Sequence, residues 1–280
     1  MTAQFDKAKN AYLVLAHEDG AMLNILVARL LNTGSVFIHI DRSSRIKVSD
    51  VVKDKNVHIW KQIKVRWGGY TMVEATRLLA ENAINGGATR LTLLSGLSYP
   101  IVTDEKLSEI AKSDQDIFDA EVVDLKTIAS HFRRRFSNHH FAFHLGSGFH
   151  ARLIRRAARG LCDLLPKLNP VRELYPLKLT LGSQWWSITK ETYVAALNLL
   201  KVNPKIEKYF KAIECSDESF FGTLFKQIST SHVQAGTTYV RWGGTNFRPV
   251  IVNQEDLLRA QQENFIFARK FSSSKIPKII

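Results

Sequence analysis

A chain of 280 residues, 45% of them hydrophobic, can bury a sizeable core, and no stretch reads as a linker, so one unit spanning 1–280 is expected. The 39 Lys plus Arg exceed the 26 Asp plus Glu, and the formal net charge of +13 favours an anionic partner: nucleotide, nucleic acid, acidic glycan or anionic lipid. Cys162 and Cys215 match neither a disulfide framework nor a metal-ligand spacing, Met1 to Asn10 lacks a signal peptide's apolar core, and no apolar run reaches the roughly 18 residues of a membrane span; an integral membrane protein is excluded and a cytoplasmic one expected.

Tyr12 to Ala16 is a short apolar run followed by His17-Glu18-Asp19-Gly20 and a helical pattern from Met22 to Leu31. Val36 to Ile40 runs into Asp41, Val57 to Trp60 forms a further strand pattern, a helix is predicted from about Met72 to Ala83, and Leu91 to Leu94 reads as the next buried strand. Buried strands alternating with helices predict an α/β fold with a mostly parallel sheet. Ligands collect beyond the carboxyl ends of such strands, so His17, Asp41 and the segment Ser95 to Pro100 are expected to share one crevice.

Between about Phe118 and Leu177 the strand rhythm lapses, which reads as an insert. Within it, Ala151 to Arg159 sets Arg beside apolar positions, either a solvated helix or a basic amphipathic helix at an anionic membrane surface. A polar-aromatic loop from Leu181 leads into a helix ending near Leu200, and helices are predicted over Asp217 to Ile228 and Glu255 to Glu263. Arg66-Trp67-Gly68-Gly69 recurs as Arg241-Trp242-Gly243-Gly244, too short a match for an internal duplication.

Two distant segments carry the chemistry. Ser216-Asp217-Glu218 is a helix start by composition, with Ser216 as cap and acids in the first turn. Beside Phe220, Phe221 and Phe225, however, an apolar wall would raise a carboxylate's proton affinity toward that of a general base; Glu218 is the candidate and Asp217 its competitor. In Phe267-Ala268-Arg269-Lys270-Phe271 the chain is expected to be extended, with charges and rings on opposite faces, and Arg248 adds a third cation. Such cations can neutralise a departing phosphate, the work of a divalent ion in many nucleotide-sugar enzymes. Asp114-x-Asp116 is the only Asp-x-Asp spacing and sits in a polar stretch, so metal independence is expected. Gln184, Trp185, Trp186 and Trp242 offer an amide and flat rings of the kind that recognise sugars, with core packing an equal explanation for the rings.

These residues resemble the core-2/I-branching glycosyltransferase family, which also contains the peptide O-xylosyltransferases. The resemblance runs through Ala11 to His17, Phe37 to Asp41, Trp67 to Tyr70 with Val73 to Ala75, Leu94 to Ile101, Gly182 to Trp186, Asp217 to Phe221 and Phe267 to Phe271. It implies a GT-A type fold, with a nucleotide-binding part over 11–116 and an acceptor-binding and catalytic part over 117–280, and an inverting, metal-independent transfer from a UDP-sugar, most often UDP-GlcNAc and in one branch UDP-xylose. Glu218 matches the family's general base, Arg269 and Lys270 its diphosphate-holding pair, Arg248 a further phosphate contact, and His17, Asp41 and Trp67 its nucleotide-facing loops. Glu121 and Arg133 or Arg134 fall where the family contacts acceptor, and Gln184, Trp185 and Trp242 are expected to contact acceptor through their amide and rings. Animal members carry a membrane anchor and several disulfides; this chain is similar instead to compact bacterial members, so a glycan or lipid-linked glycan acceptor of surface polysaccharide or lipopolysaccharide synthesis is expected, at the inner face of the cytoplasmic membrane.

Two other classes compete. A nucleic-acid module would explain the charge, but outside Arg133-Arg134-Arg135 and Arg152 to Arg159 the basic residues are scattered, so no nucleic-acid partner is expected. A noncatalytic sugar-binding protein would use the same tryptophans. A nicotinamide dehydrogenase is disfavoured because His17-Glu18-Asp19-Gly20 replaces a glycine fingerprint after the first strand.

Overall fold

The computed structural model describes residues 9–125, 127, 136, 150, 153, 154, 157, 177–243 and 248–275. Strands β1 (Asn10–Ala16), β2 (Ser35–Ile40), β3 (Val57–Trp60) and β4 (Arg90–Ser95) lie parallel, in the order β3-β2-β1-β4. Every residue of β1, β2 and β4 is buried because both faces of the sheet are covered, and their sequences are accordingly mostly apolar.

Alternation along β1 assigns the two faces. Ala11, Leu13 and Leu15 pack with Val73, Leu79 and Ala83 of helix α2 (Thr71–Asn85), whereas Tyr12, Val14 and Ala16 pack with Leu23, Leu26 and Leu30 of helix α1 (Gly20–Leu30). Burying one such Leu or Val contributes roughly 1.5–3 kcal/mol. A one-residue slip of β1 would exchange the two sets, so this packing fixes the register.

The sheet extends beyond β4 through β9 (Ser187–Thr189), β6 (Asp116–Phe118) and β10 (His232–Gln234), giving the order β10-β6-β9-β4-β1-β2-β3 with β9 antiparallel to both its neighbours. Four of its six strand pairings are parallel, and helices cover it: a mixed α/β, GT-A-like architecture, as expected. Asp116 secures the extension. Its carboxylate accepts from the Thr189 N–H at 2.8 Å and from the Thr192 and Ser229 hydroxyls at 2.5 Å, so this half of the Asp-x-Asp spacing is committed to holding strands together.

Two further sheets lie beside the main one: β7 (Ala120–Val122) with β8 (Thr180–Gly182), and β11 (Thr238–Val240), β12 (Phe267–Arg269) and β5 (Ser98–Pro100) in the order β11-β12-β5. The polar-aromatic loop expected from Leu181 therefore contains parts of β8 and β9. Gly182 is required there, because a Cβ would meet the Asp119 carbonyl oxygen at 2.0 Å. Further α-helices are α3 (Asp104–Lys112), α4 (Lys190–Val202), α5 (Pro204–Phe210), α6 (Phe220–Ile228) and α7 (Gln254–Gln262). Side-chain caps from Thr103, Thr189 and Asn253 start α3, α4 and α7. Among the described residues no helix is long and apolar enough to cross a membrane.

Candidate active site

The carboxyl ends of β1, β2 and β4 are tied into one rim. The Asp41 N–H donates to the Ala16 carbonyl at 2.8 Å, Gly96 N–H to Leu15 at 2.8 Å, and the Ser44 hydroxyl to the His17 carbonyl at 2.8 Å. Asp41 shapes its own loop by accepting from the Ser43 N–H at 2.7 Å and hydroxyl at 2.8 Å; it caps no helix. His17 is exposed, with Nε2 3.5 Å from a Glu18 oxygen.

Beneath this rim lies a histidine that sequence reasoning missed. His39 is 1% exposed, and its Nε2 accepts the Ile63 N–H at 3.2 Å, which assigns the proton to Nδ1, a buried atom with no partner. Burial pulls its pKa below the ordinary imidazole value, against the opposing pull of Asp41. On acidification the unfolded state takes up a proton that folded His39 resists. Its contribution is thus complete above 6.5 and is lost as pH falls from there toward the depressed folded value. The slope is at most about 1.4 kcal/mol per pH unit. Thermal unfolding at pH 7.5 and 5.5 is expected to show a larger acid loss in wild type than in His39→Gln; equal losses would remove His39 as the cause.

The C-terminal cations reach this rim through strand pairing. β12 runs antiparallel to β5, placing Arg269 opposite Ser98, and the Phe271 N–H donates to the Leu97 carbonyl at 2.9 Å. Arg269 and Lys270 do not share a face opposed to the phenylalanines, as had been expected. Lys270 lies beyond the end of β12, and the two side chains take different partners, Arg269 on Trp185 and Lys270 at Glu18. The Arg269 guanidinium lies over the Trp185 ring, 4.9 Å from its centroid, and Nε is buried without a hydrogen-bond partner. Burial lowers its pKa to about 10, although the Glu18 charge pulls upward. Among the described residues no carboxylate bridges to it. Lys270 Nζ is 2.5 Å from the Glu18 carboxylate. Asp19 clasps the same tail: Oδ2 accepts the Ser273 N–H at 2.9 Å while Oδ1 caps α1 at Met22.

Glu218 is carried by a separate support. The Cys215 N–H donates to the Gly68 carbonyl at 2.8 Å, which joins the Trp67-Gly68-Gly69 turn to the segment carrying Glu218. Gly68 has φ 71°, a conformation that favours glycine, and Trp67 beside it is 77% exposed. Ser216–Glu218 forms a single 3-10 turn, not the start of a continuous helix from Asp217. Ser219, at φ −128°, breaks the helix because its hydroxyl is bonded to the Thr180 carbonyl of β8, and α6 begins only at Phe220. Glu218 is half-buried and Asp217 buried. The rings that follow are core anchors: Phe220 meets Tyr70 edge-on at 5.6 Å, and Phe221 and Phe225 lie 5.4 and 5.3 Å from Trp186. Trp185 therefore supports Arg269 while its neighbour Trp186 supports the helix that follows Glu218. One dipeptide braces both halves of the candidate site.

The family model for the Core-2/I-Branching enzyme matches residues 10–261. The chain belongs to that family. It is accordingly a glycosyltransferase, with a sugar donor and a glycan acceptor. No curated protein matches the chain.

The other positions of the family resemblance fall around these two supports. Gln184 is half-buried beside Trp185, and its Nε2 is buried with no hydrogen-bond partner, a donor the protein itself leaves unused. Trp185, expected to face acceptor, is 5% exposed and carries Arg269 on its ring. Trp242 is 58% exposed and bridges Pro249; the Lys270 N–H reaches the Val250 carbonyl at 3.4 Å, so this segment and exposed Arg248 border the cationic tail. Glu121 is exposed on β7 opposite Leu181 of β8. Arg133, Arg134 and most of the basic stretch 151–159 lie outside the described residues. Among those described, sequence reasoning missed Glu18 and Asp19, whose signal was an acidic pair directly after β1 in a chain expected to present a cationic tail to that strand end.

Proposed function

We propose that this family member is an inverting transferase that moves GlcNAc from UDP-GlcNAc to a glycan hydroxyl, forming a β-linkage. The observation that carries this reading is Arg269: a half-buried arginine whose Nε is buried and unsatisfied, at the carboxyl end of β4, in a position where a ligand anion would supply the missing partner. Glu218 accepts the proton of the acceptor hydroxyl. The acceptor oxygen forms its bond to the anomeric carbon as the bond to the UDP oxygen breaks on the opposite face. Positive charge develops on the sugar ring, and the negative charge released onto UDP falls to Arg269 and Lys270, with Arg248 at the border.

Metal independence belongs to the same proposal. Cations fixed in the protein can take the leaving-group charge that a divalent ion takes in many nucleotide-sugar enzymes. The acceptor we propose is a surface polysaccharide or lipopolysaccharide precursor, with the net charge of +13 favouring contact with an anionic membrane face.

The experiment is a thermal-shift panel of UDP-GlcNAc, UDP-xylose, UDP-glucose and UDP-galactose, each with EDTA and with manganese. UDP-GlcNAc is expected to give the largest shift, equal under both conditions; ligand at 100 times its Kd stabilises by about 2.7 kcal/mol. A larger shift with UDP-xylose would reassign the donor. A shift that appears only with manganese would overturn the cationic clamp.

A further inference from the structure

The clamp is not empty of negative charge, because Glu18 already occupies half of it. Lys270 Nζ sits 2.5 Å from a Glu18 oxygen, and both side chains are accessible, 33% and 45% exposed respectively. That pairing holds the Glu18 carboxyl below the usual carboxylate range, so it is ionised at neutral pH. Arg269, the adjacent cation, feels Glu18 only through space and has no bonded anion among the described residues.

Asp19 shows that this ion pair is not what holds the loop. With φ 52°, Asp19 makes the turn after β1, caps α1 at Met22 through Oδ1 and receives the Ser273 N–H through Oδ2. The β1–α1 turn and the tail are thus fastened by bonds to backbone that persist whatever Glu18 does. Glu18 can therefore leave Lys270 without unfolding its surroundings. Its oxygen is also 3.5 Å from His17 Nε2, an alternative partner on the rim.

Resting on the reading of Arg269 and Lys270 as the diphosphate site, we propose that Glu18 is an exchangeable counter-ion of the clamp: its carboxylate holds Lys270 while the donor is absent, yields it to the donor phosphate, and so weakens nucleotide diphosphate binding and speeds its release. With Asp19 committed to the Ser273 N–H, Lys270 and Arg269 face only the Glu18 carboxylate, and a diphosphate with two or more charges takes them in preference to that single charge. The displaced carboxylate stays near the phosphates and repels them. A product held less tightly leaves sooner, which matters where product release limits turnover.

Removing that charge while keeping the shape should strengthen binding. Titration calorimetry of UDP and of inorganic pyrophosphate is expected to give Glu18→Gln an affinity about 3- to 10-fold higher than wild type, the range for partly exposed charges. The increase should vanish when Glu18→Gln is made in a Lys270→Met background, a result that a merely structural role for Glu18 would not produce. Stopped-flow displacement should show slower UDP release from Glu18→Gln. Equal or weaker binding by Glu18→Gln, in a protein whose wild type does bind UDP, overturns the counter-ion role alone. Failure of both probes to bind wild type and Glu18→Gln overturns the donor site with it.

Discussion

Glu218→Gln is expected to lower the transfer rate by on the order of 100- to 10,000-fold while leaving UDP binding within about 2-fold of wild type. Gln keeps the size and polarity of the side chain but cannot take a proton from an attacking hydroxyl. The backbone that presents it is fixed independently of the side chain: Cys215 is bonded to Gly68, the Glu218 N–H to the Cys215 carbonyl at 3.1 Å, and Ser219 to Thr180. The cations assigned to the diphosphate come from β12 and the residue after it, a different part of the chain, so donor affinity should be spared. Initial rates of UDP release with and without acceptor, together with calorimetric Kd values, provide the check. Wild-type turnover in Glu218→Gln would move the base elsewhere, with buried Asp217 the next residue to test.

Local pattern and long-range pairing divide what the sequence could reveal. β1, β2 and β4 were legible because strands covered on both faces are predominantly apolar, and the loops carrying His17, Asp41 and Ser95 followed from where parallel strands end. The start of α6 was not legible, because the break at Ser219 comes from a hydrogen bond to Thr180, 39 residues earlier. Nor was β9 legible as the strand between β4 and β6: its three residues gain their place from pairing with both and from Asp116, which no local propensity encodes. The tail shows the same limit at the site. Its motif marked Arg269 and Lys270 as cations, but only the pairing of β12 with β5 determines that one enters the protein over Trp185 while the other meets Glu18.

That division between two adjacent cations gives the second large effect, in which stability and function are expected to move in opposite directions. Arg269→Met should melt higher than wild type without ligand, yet lose UDP-induced stabilisation and on the order of 100- to 1,000-fold in kcat/KM. Burial pulls the Arg269 pKa down from its ordinary value to about 10, which corresponds to a penalty of roughly 3 kcal/mol for the charge. Stacking on Trp185 offsets about 1–2 kcal/mol of that. A Met side chain can cover the same ring without a charge or an unsatisfied Nε, so the unliganded protein should gain about 1–2 kcal/mol, or a few degrees in Tm. Adding UDP reverses the order: wild type gains about 2.7 kcal/mol at 100 times Kd, whereas Arg269→Met has lost the cation that would meet the phosphate. Melting curves of both proteins with and without UDP should therefore cross. If Arg269→Met were less stable when unliganded and kept the full UDP shift, Arg269 would be a structural cation and the diphosphate would have to lie elsewhere.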